Sequence, residues 1–354
     1  MRAHACVAAS LAVLAAAAPL SGQVLRARLV DAGTDAPISG AFATLEQTGS
    51  PAAGRRPVAA LSDSLGWLQL RAPAPGRYQL RVERLGYRTF VSDPLQLDTL
   101  IVRQIRLPAE AIQLAALTAR GQRRCGGVAS LAAEAAVLWD EVRKALAVNS
   151  WTSAQGSVSY LIREYSRRLH PRTLQVLEER SDQQALWSTR SPFVSLGARD
   201  LSEQGFVRTG PDGGYLYYGP DSEVILSQWF QERHCFRATS HGRDPGLIGL
   251  AFEPGPGAPD YDIQGVLWVD RASAELRYLE YHFTRLPVMM ERSAAGGEVH
   301  FERLQSGRWI VRRWWMRAPV LSRVPGQTEF RIAALQEAGR TVVSLTEGVG
   351  GVVH

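Results

Sequence analysis

The stretch "APGRYQLRVERLGYRTF" (residues 74–90) decides how the chain reads. Tyr78, Leu80 and Val82 share one face of an extended segment and Gln79, Arg81 and Glu83 the other. That period of two is what a half-buried antiparallel strand requires. Gly86 then lets the backbone turn between Leu85 and Tyr87, and a second strand begins near Phe90. Upstream, "VLRARLV" (residues 24–30) and "GWLQLRA" (residues 66–72) repeat the alternation, with "DAGTDAP", "SDSLG" and "APAPG" as turns. Residues 23–108 therefore read as short strands stacked into a β-sandwich.

The order of these motifs resembles the carboxypeptidase regulatory-like domain, a transthyretin-like β-sandwich. Asp31, Thr34, Pro37, Ile38, Gly40 and Ala41 carry the first part of the resemblance, and Asp63, Gly66 and Trp67 the second. Pro75, Gly76, Tyr78, Leu85, Gly86 and Tyr87 carry the third. Such domains accompany metallocarboxypeptidases and outer-membrane receptors. A zinc peptidase would need a histidine, an acid three residues on and a distant histidine. Only His241 with Asp244 has that spacing, and "HGRDPG" reads as a turn.

Residues 1–22 hold an early arginine, an Ala/Leu/Val run, Pro19 and the small residues Ser21 and Gly22. They read as a secretory signal cleaved before Gln23. The apolar run is too short for a membrane anchor, which needs about 20 residues. The formal charge is +6, from 40 basic and 34 acidic residues, and every basic residue except Lys144 is an arginine. The charges are interspersed, which argues against a nucleic-acid partner. Beyond Cys6, the cysteines are Cys125 and Cys235, in an exported chain a disulfide candidate. The alternatives are two unrelated buried thiols, or a Cys235 nucleophile beside His234. Adjacent side chains diverge on strands and helices alike, which favours the bridge.

Residues 109–129 read as a linker and residues 130–148 as a helix. Ser130 is its expected cap, and Leu131, Ala135, Leu138, Val142 and Ala145 form its apolar face. Asp140 lies four residues before Lys144. Residues 149–354 read as an antiparallel β domain, interrupted by a short helix in "PDSEVILSQWFQERH" (residues 220–234) that Asp221 caps. Gly265, Leu267, Trp268 and Asp270 resemble a strand of the periplasmic lipoprotein-carrier type of curved sheet. That resemblance implies a concave face able to hold an apolar ligand.

No catalytic, metal, phosphate or dinucleotide motif is present in the sequence. The pairs Asp260 with Asp262, and Glu298 with Glu302 around His300, are imaginable as catalytic carboxylates. Alternation instead puts each on a solvated strand face, with His282 and His300 turned away from their apolar neighbours. Trp268, Trp309, Trp314, Trp315 and Tyr217 are the candidate ligand contacts, since aromatic faces stack on sugars or line lipid pockets. Trp314 and Trp315 should point to opposite faces. The chain is thus expected to be mainly β and non-enzymatic, needing no cofactor, and periplasmic or outer-membrane associated. Its partner would be an envelope protein, a glycan or a lipid. The alternatives are a carrier of an apolar ligand, or a carbohydrate-binding or hydrolase accessory protein.

Overall fold

The computed structural model describes residues 23–49, 57–110, 125, 131–181, 186–210, 214–258, 260–291, 293–323 and 330–348. The first domain holds β1 (Val24–Asp31), β2 (Phe42–Gln47), β3 (Val58–Leu61), β4 (Trp67–Arg71), β5 (Gly76–Glu83), β6 (Phe90–Val91), β7 (Leu95–Leu97) and β8 (Ile101–Leu107). One sheet has the order β4-β1-β8, and the other β3-β2-β5-β6 with β7 also on β5. Leu25, Ala27 and Leu29 of β1 pack in one core with Leu68 and Leu70 of β4 and Tyr78, Leu80 and Val82 of β5. The alternation of the sequence thus becomes two facing apolar layers. β8 runs parallel to β1. The turn residues act through hydrogen bonds: Asp31 Oδ1 accepts from the Gly33 and Thr34 amides, and Asp63 Oδ1 from those of Leu65 and Trp67. At Gly66 (φ +78°) a Cβ would lie 2.4 Å from the Leu29 carbonyl oxygen, so only glycine fits.

The second domain begins with α1 (Ala133–Gln155), β9 (Val158–Leu169), β10 (Val176–Ser181) and β11 (Leu186–Ser188). Next come α2 (Ala198–Gln204), β12 (Val207–Thr209), β13 (Tyr215–Tyr217), α3 (Ser222–Leu226) and α4 (Gln228–Arg233). The chain then runs through β14 (His234–Ser240), β15 (Leu247–Pro254), β16 (Asp262–Asp270) and β17 (Leu276–Thr284). It ends with α5 (Val288–Glu291), β18 (Gly296–Arg303), β19 (Trp309–Arg323) and β20 (Phe330–Glu347). β14 to β20 form an antiparallel meander, and β9 and β10 add to its far side in the order β20-β9-β10. The inner face, including Leu267, Leu279, Tyr281 and Val299, is covered by α1 and the short helices in one apolar core. Among the described residues, no helix is long and apolar enough to cross a membrane.

Three expectations about helices change. α1 continues to Gln155 instead of ending at 148, so the β domain starts at Val158. The polar run Asn149–Ser153 stays helical because tertiary contacts hold it. Asn149 donates to the Trp309 carbonyl and accepts from Ser222, at 3.1 and 2.7 Å. Gly156, at φ 59°, ends the helix. Ser130 lies outside the described residues, as does most of the 109–129 segment; the residue at the cap is Ala132, without a side-chain hydrogen bond. The single helix expected in residues 220–234 is two. Asp221 caps α3 through the Val224 amide, and Ser227 breaks the run and caps α4 through the Phe230 amide.

α1 also joins the domains. Arg143 donates to both carboxylate oxygens of Glu83 at 2.7 and 3.0 Å, and Trp151 packs against Phe42 at 5.5 Å. Lys144, 4% exposed, reaches Glu141 at 2.6 Å, Asp140 at 2.8 Å and the Tyr87 carbonyl at 3.2 Å. Three acceptors meet the three donors of an ammonium, a geometry that a planar guanidinium does not match. The one lysine of an arginine-rich chain sits here. Nearby, Gly40 and Gly307 bring the two backbones together, and a Cβ on Gly40 would lie 2.8 Å from the Gly307 Cα. Leu85 packs in the core of the second domain and Tyr87 against that of the first, so the turn at Gly86 is itself part of the seam.

Candidate functional site

The five aromatic candidates divide between the two faces of the large sheet. Trp309 is 3% exposed and lies in the inner core. Trp314 is also inner; its indole donates to the Pro192 carbonyl at 2.7 Å and its ring packs on Phe193. Tyr217 meets Phe283 edge-on at 5.1 Å, and burial raises the pKa of its phenol. Trp268 and Trp315 belong to the outer face, where Trp268 is buried and Trp315 half-buried. Trp314 and Trp315 do point apart, but neither is fully exposed, because residues 191–193 cover the inner one. Among the described residues the inner face is filled by α1 and its neighbours, so the tryptophans there line no open apolar concavity.

The outer face brings together residues that the sequence kept apart. β17 and β18 pair so that Glu280 stands opposite Glu298. Each carboxylate has a histidine two residues on and on the same face. Glu298 Oε2 and His300 Nε2 are hydrogen-bonded at 2.8 Å, and Glu280 Oε1 lies 3.6 Å from His282 Nε2. The hydrogen bond to its histidine holds each carboxyl below the usual glutamate range, against burial that acts the other way. Tyr278 stacks on His300 at 5.1 Å, and its hydroxyl lies 3.2 Å from His241 Nε2. His241 in turn meets Trp268 edge-on at 4.7 Å.

Farther along, Arg317 lies over Trp315 and Arg167 over Tyr165, and Arg317 pairs with Glu337 at 2.5 Å. The tyrosine ring rests against a glycine: a Cβ on Gly339 would be 2.7 Å from Tyr165. Gly249 makes the same room for Trp268. The result is a partly exposed surface of rings, imidazoles, guanidinium groups and carboxylates. Both central carboxyls are held low, so neither is poised to donate a proton near neutral pH. What they can do is accept hydrogen bonds while the rings stack. Among the described residues, no group of three His, Cys, Asp or Glu side chains is placed to hold a metal ion.

Sequence reasoning turned His282 and His300 away from their apolar neighbours and put Glu298 and Glu302 on solvated strand faces, with a Glu298–Glu302 carboxylate pair only as an alternative. Glu302 instead pairs with Arg312 at 3.3 Å. A usable signal was the repeat "EYHF" (residues 280–283) and "EVHF" (residues 298–301); cross-strand register was the missing step. Asp262 is a second correction. It is fully buried instead of solvated, and its Oδ1 lies 3.2 Å from His234 Nε2. His234 Nδ1 faces the Phe230 carbonyl at 2.9 Å, so the pair braces α4 against β16 away from solvent. Cys235, beside it, is bonded to Cys125. The bridge ties residue 125 to β14, and the nucleophile alternative is closed.

No family model matches the chain, and no curated protein matches it. Among solved structures it is similar to a putative carbohydrate binding protein from Bacteroides uniformis, at 9% identity and a TM-score of 0.21, over 70% of this chain and 98% of that one. A DUF1329 family protein from Desulfovibrio piger is 12% identical with a TM-score of 0.24, over 60% and 95% of the two chains. The pilus 2b backbone protein of group B streptococcus is 15% identical with a TM-score of 0.22, over 25% of this chain. The chain spans 42% of the length of that pilus protein.

Proposed function

We propose that this is an exported envelope protein that binds neutral glycan through the outer face of its second domain. Its first domain, in this reading, is a carboxypeptidase regulatory-like sandwich serving as a spacer. One observation carries the glycan reading: two ionised carboxylates, Glu280 and Glu298, stand opposite each other beside Tyr278 and Trp315 on a partly exposed sheet face. Sugar hydroxyls donate well to such oxygens, and the apolar face of a pyranose stacks on aromatic rings. The Cys125–Cys235 disulfide supports an oxidising compartment. The expected result on an array of neutral and acidic oligosaccharides is binding to neutral ones, weakened about tenfold or more in Glu298→Gln and Trp315→Ala. No binding, or binding indifferent to both substitutions, overturns the reading.

A further inference from the structure

A shallow, open cleft of about 700 Å³ lies where β11 and β20 flank the start of β9. It is lined by Ser159 of β9, Trp187 and Ser188 of β11, Thr189 and Arg190 just beyond, and Thr346 of β20. That volume is in the range of small-molecule sites. The register of the strands gives the lining its order. Trp187 stands opposite Leu161, and Thr346 opposite Ser159. Alternate residues of a strand share a face, so Ser159 and Leu161 bring the indole and the threonine hydroxyl to one side of the sheet.

Trp187 is 58% exposed, and of the nine tryptophans in the chain it is the only exposed one. A large ring left in water on a three-residue strand adds little to the core, but it offers an apolar face for stacking. Beside it, the side chains of Ser159, Thr189 and Thr346 form no hydrogen bond with another described residue. Each hydroxyl can both donate and accept. The Ser188 hydroxyl is already engaged, accepting from the Arg190 amide at 3.1 Å. Arg190 is exposed and is the one charged side chain of the lining. No described carboxylate pairs with it. Glu347, the residue after Thr346, alternates to the other side of β20 and pairs with Arg308 at 2.8 Å. A guanidinium fork without an acid partner matches the oxygens of a carboxylate or sulfate group.

We infer that this cleft binds an acidic sugar, a pyranose carrying a carboxylate or sulfate group. The apolar face of the sugar ring stacks on Trp187, the sugar hydroxyls meet those of Ser159, Thr189 and Thr346, and the anionic group takes the Arg190 fork. The site shares no residue with the Glu280–Glu298 face, whose carboxylates repel such a ligand. The two surfaces thus divide acidic from neutral saccharides, and this one stands independently of the other.

The test is saturation-transfer NMR on the full chain with glucuronic acid, galacturonic acid and glucose 6-sulfate, and with acetate and inorganic sulfate as competitors. The expected result is transfer from at least one acidic sugar, with affinity about tenfold lower in Trp187→Ala and in Arg190→Gln and unchanged in Glu298→Gln. Both cleft side chains are exposed, so unchanged thermal unfolding establishes that the variants fold. No transfer from any acidic sugar overturns the inference, as does binding that survives either cleft substitution. Survival in Trp187→Ala alone, or full competition by equal acetate or sulfate, marks an adventitious ion only. Binding lost in Glu298→Gln and retained in both cleft variants moves acidic sugars to the other face and overturns the inference as well. Binding of neutral oligosaccharides decides the other reading separately.

Discussion

The two sides of α1 hold the molecule together by different physics. Towards the large sheet the helix presents Ala135, Leu138, Val142 and Leu146, all fully buried in a continuous apolar core. Towards the sandwich it presents Asp140, Glu141, Arg143 and Lys144, which meet Glu83 and the Tyr87 carbonyl. The apolar contact is non-directional and tolerant of small shifts. The ionic contact is directional: charges leaving water need every donor and acceptor matched, so it fixes the angle and register of docking more than it adds net stability. One helix therefore serves as the core of one domain and the socket for another.

The largest expected effect comes from breaking the ionic side at one partner. Lys144→Ala leaves Glu141 buried and unpaired and should cost about 3–5 kcal/mol in urea unfolding. Replacing both charges, Lys144→Met with Glu141→Leu, should recover most of that loss, because the desolvation penalty disappears with the pair. If the double variant is as unstable as the single one, the ionic side contributes net stability and the contrast between the two sides fails. On the apolar side, Leu138→Ala should cost about 2–5 kcal/mol through lost burial and the cavity left behind, with no rescue available from a second substitution.

The smallest effect is acid weakening of the seam. Burial alone would raise the carboxyl of Glu83, but the hydrogen bond and charge of Arg143, with Arg81 beside it, hold it below its ordinary value of 4.5. A carboxyl held low contributes stability that is complete above the unfolded value and is lost as pH falls through the folded one. Glu141, which burial holds above 4.5 despite Lys144, takes its proton first and acts in the opposite sense. Loosening due to Glu83 should thus appear only below pH 4.5, as an increase in radius of gyration by X-ray scattering. Glu83→Gln should remove that step; an unchanged acid profile in the variant would assign the step elsewhere.

How far the sequence could be read follows from the range of the forces involved. The strands of the sandwich and most of the meander were legible, because alternation is a local consequence of one buried face. The caps at Asp221 and the turn at Asp63 were legible for the same reason. β8 was not read as a strand of its own, because "IVRQIRL" has both apolar and polar residues exposed along one side. The final strand, β20, hides behind the mixed run "FRIAALQEAGRTVVSLTE". The candidate site was only half legible. His282 and His300 could be turned away from their apolar neighbours and Trp314 and Trp315 set on opposite faces, whereas the Glu280–Glu298 pairing depends on register between strands.

By itself the sequence determined that the chain alternates into a mainly β protein in two parts with a helix between them, since period, turn residues and caps act over a few neighbouring positions. Only the tertiary structure decided that Lys144 and Glu83 are buried, that Asp262 faces His234 and that Glu280 faces Glu298. Each of these depends on which distant surface covers a residue, and burial of a polar group follows from the partner it meets, not from its neighbours along the chain.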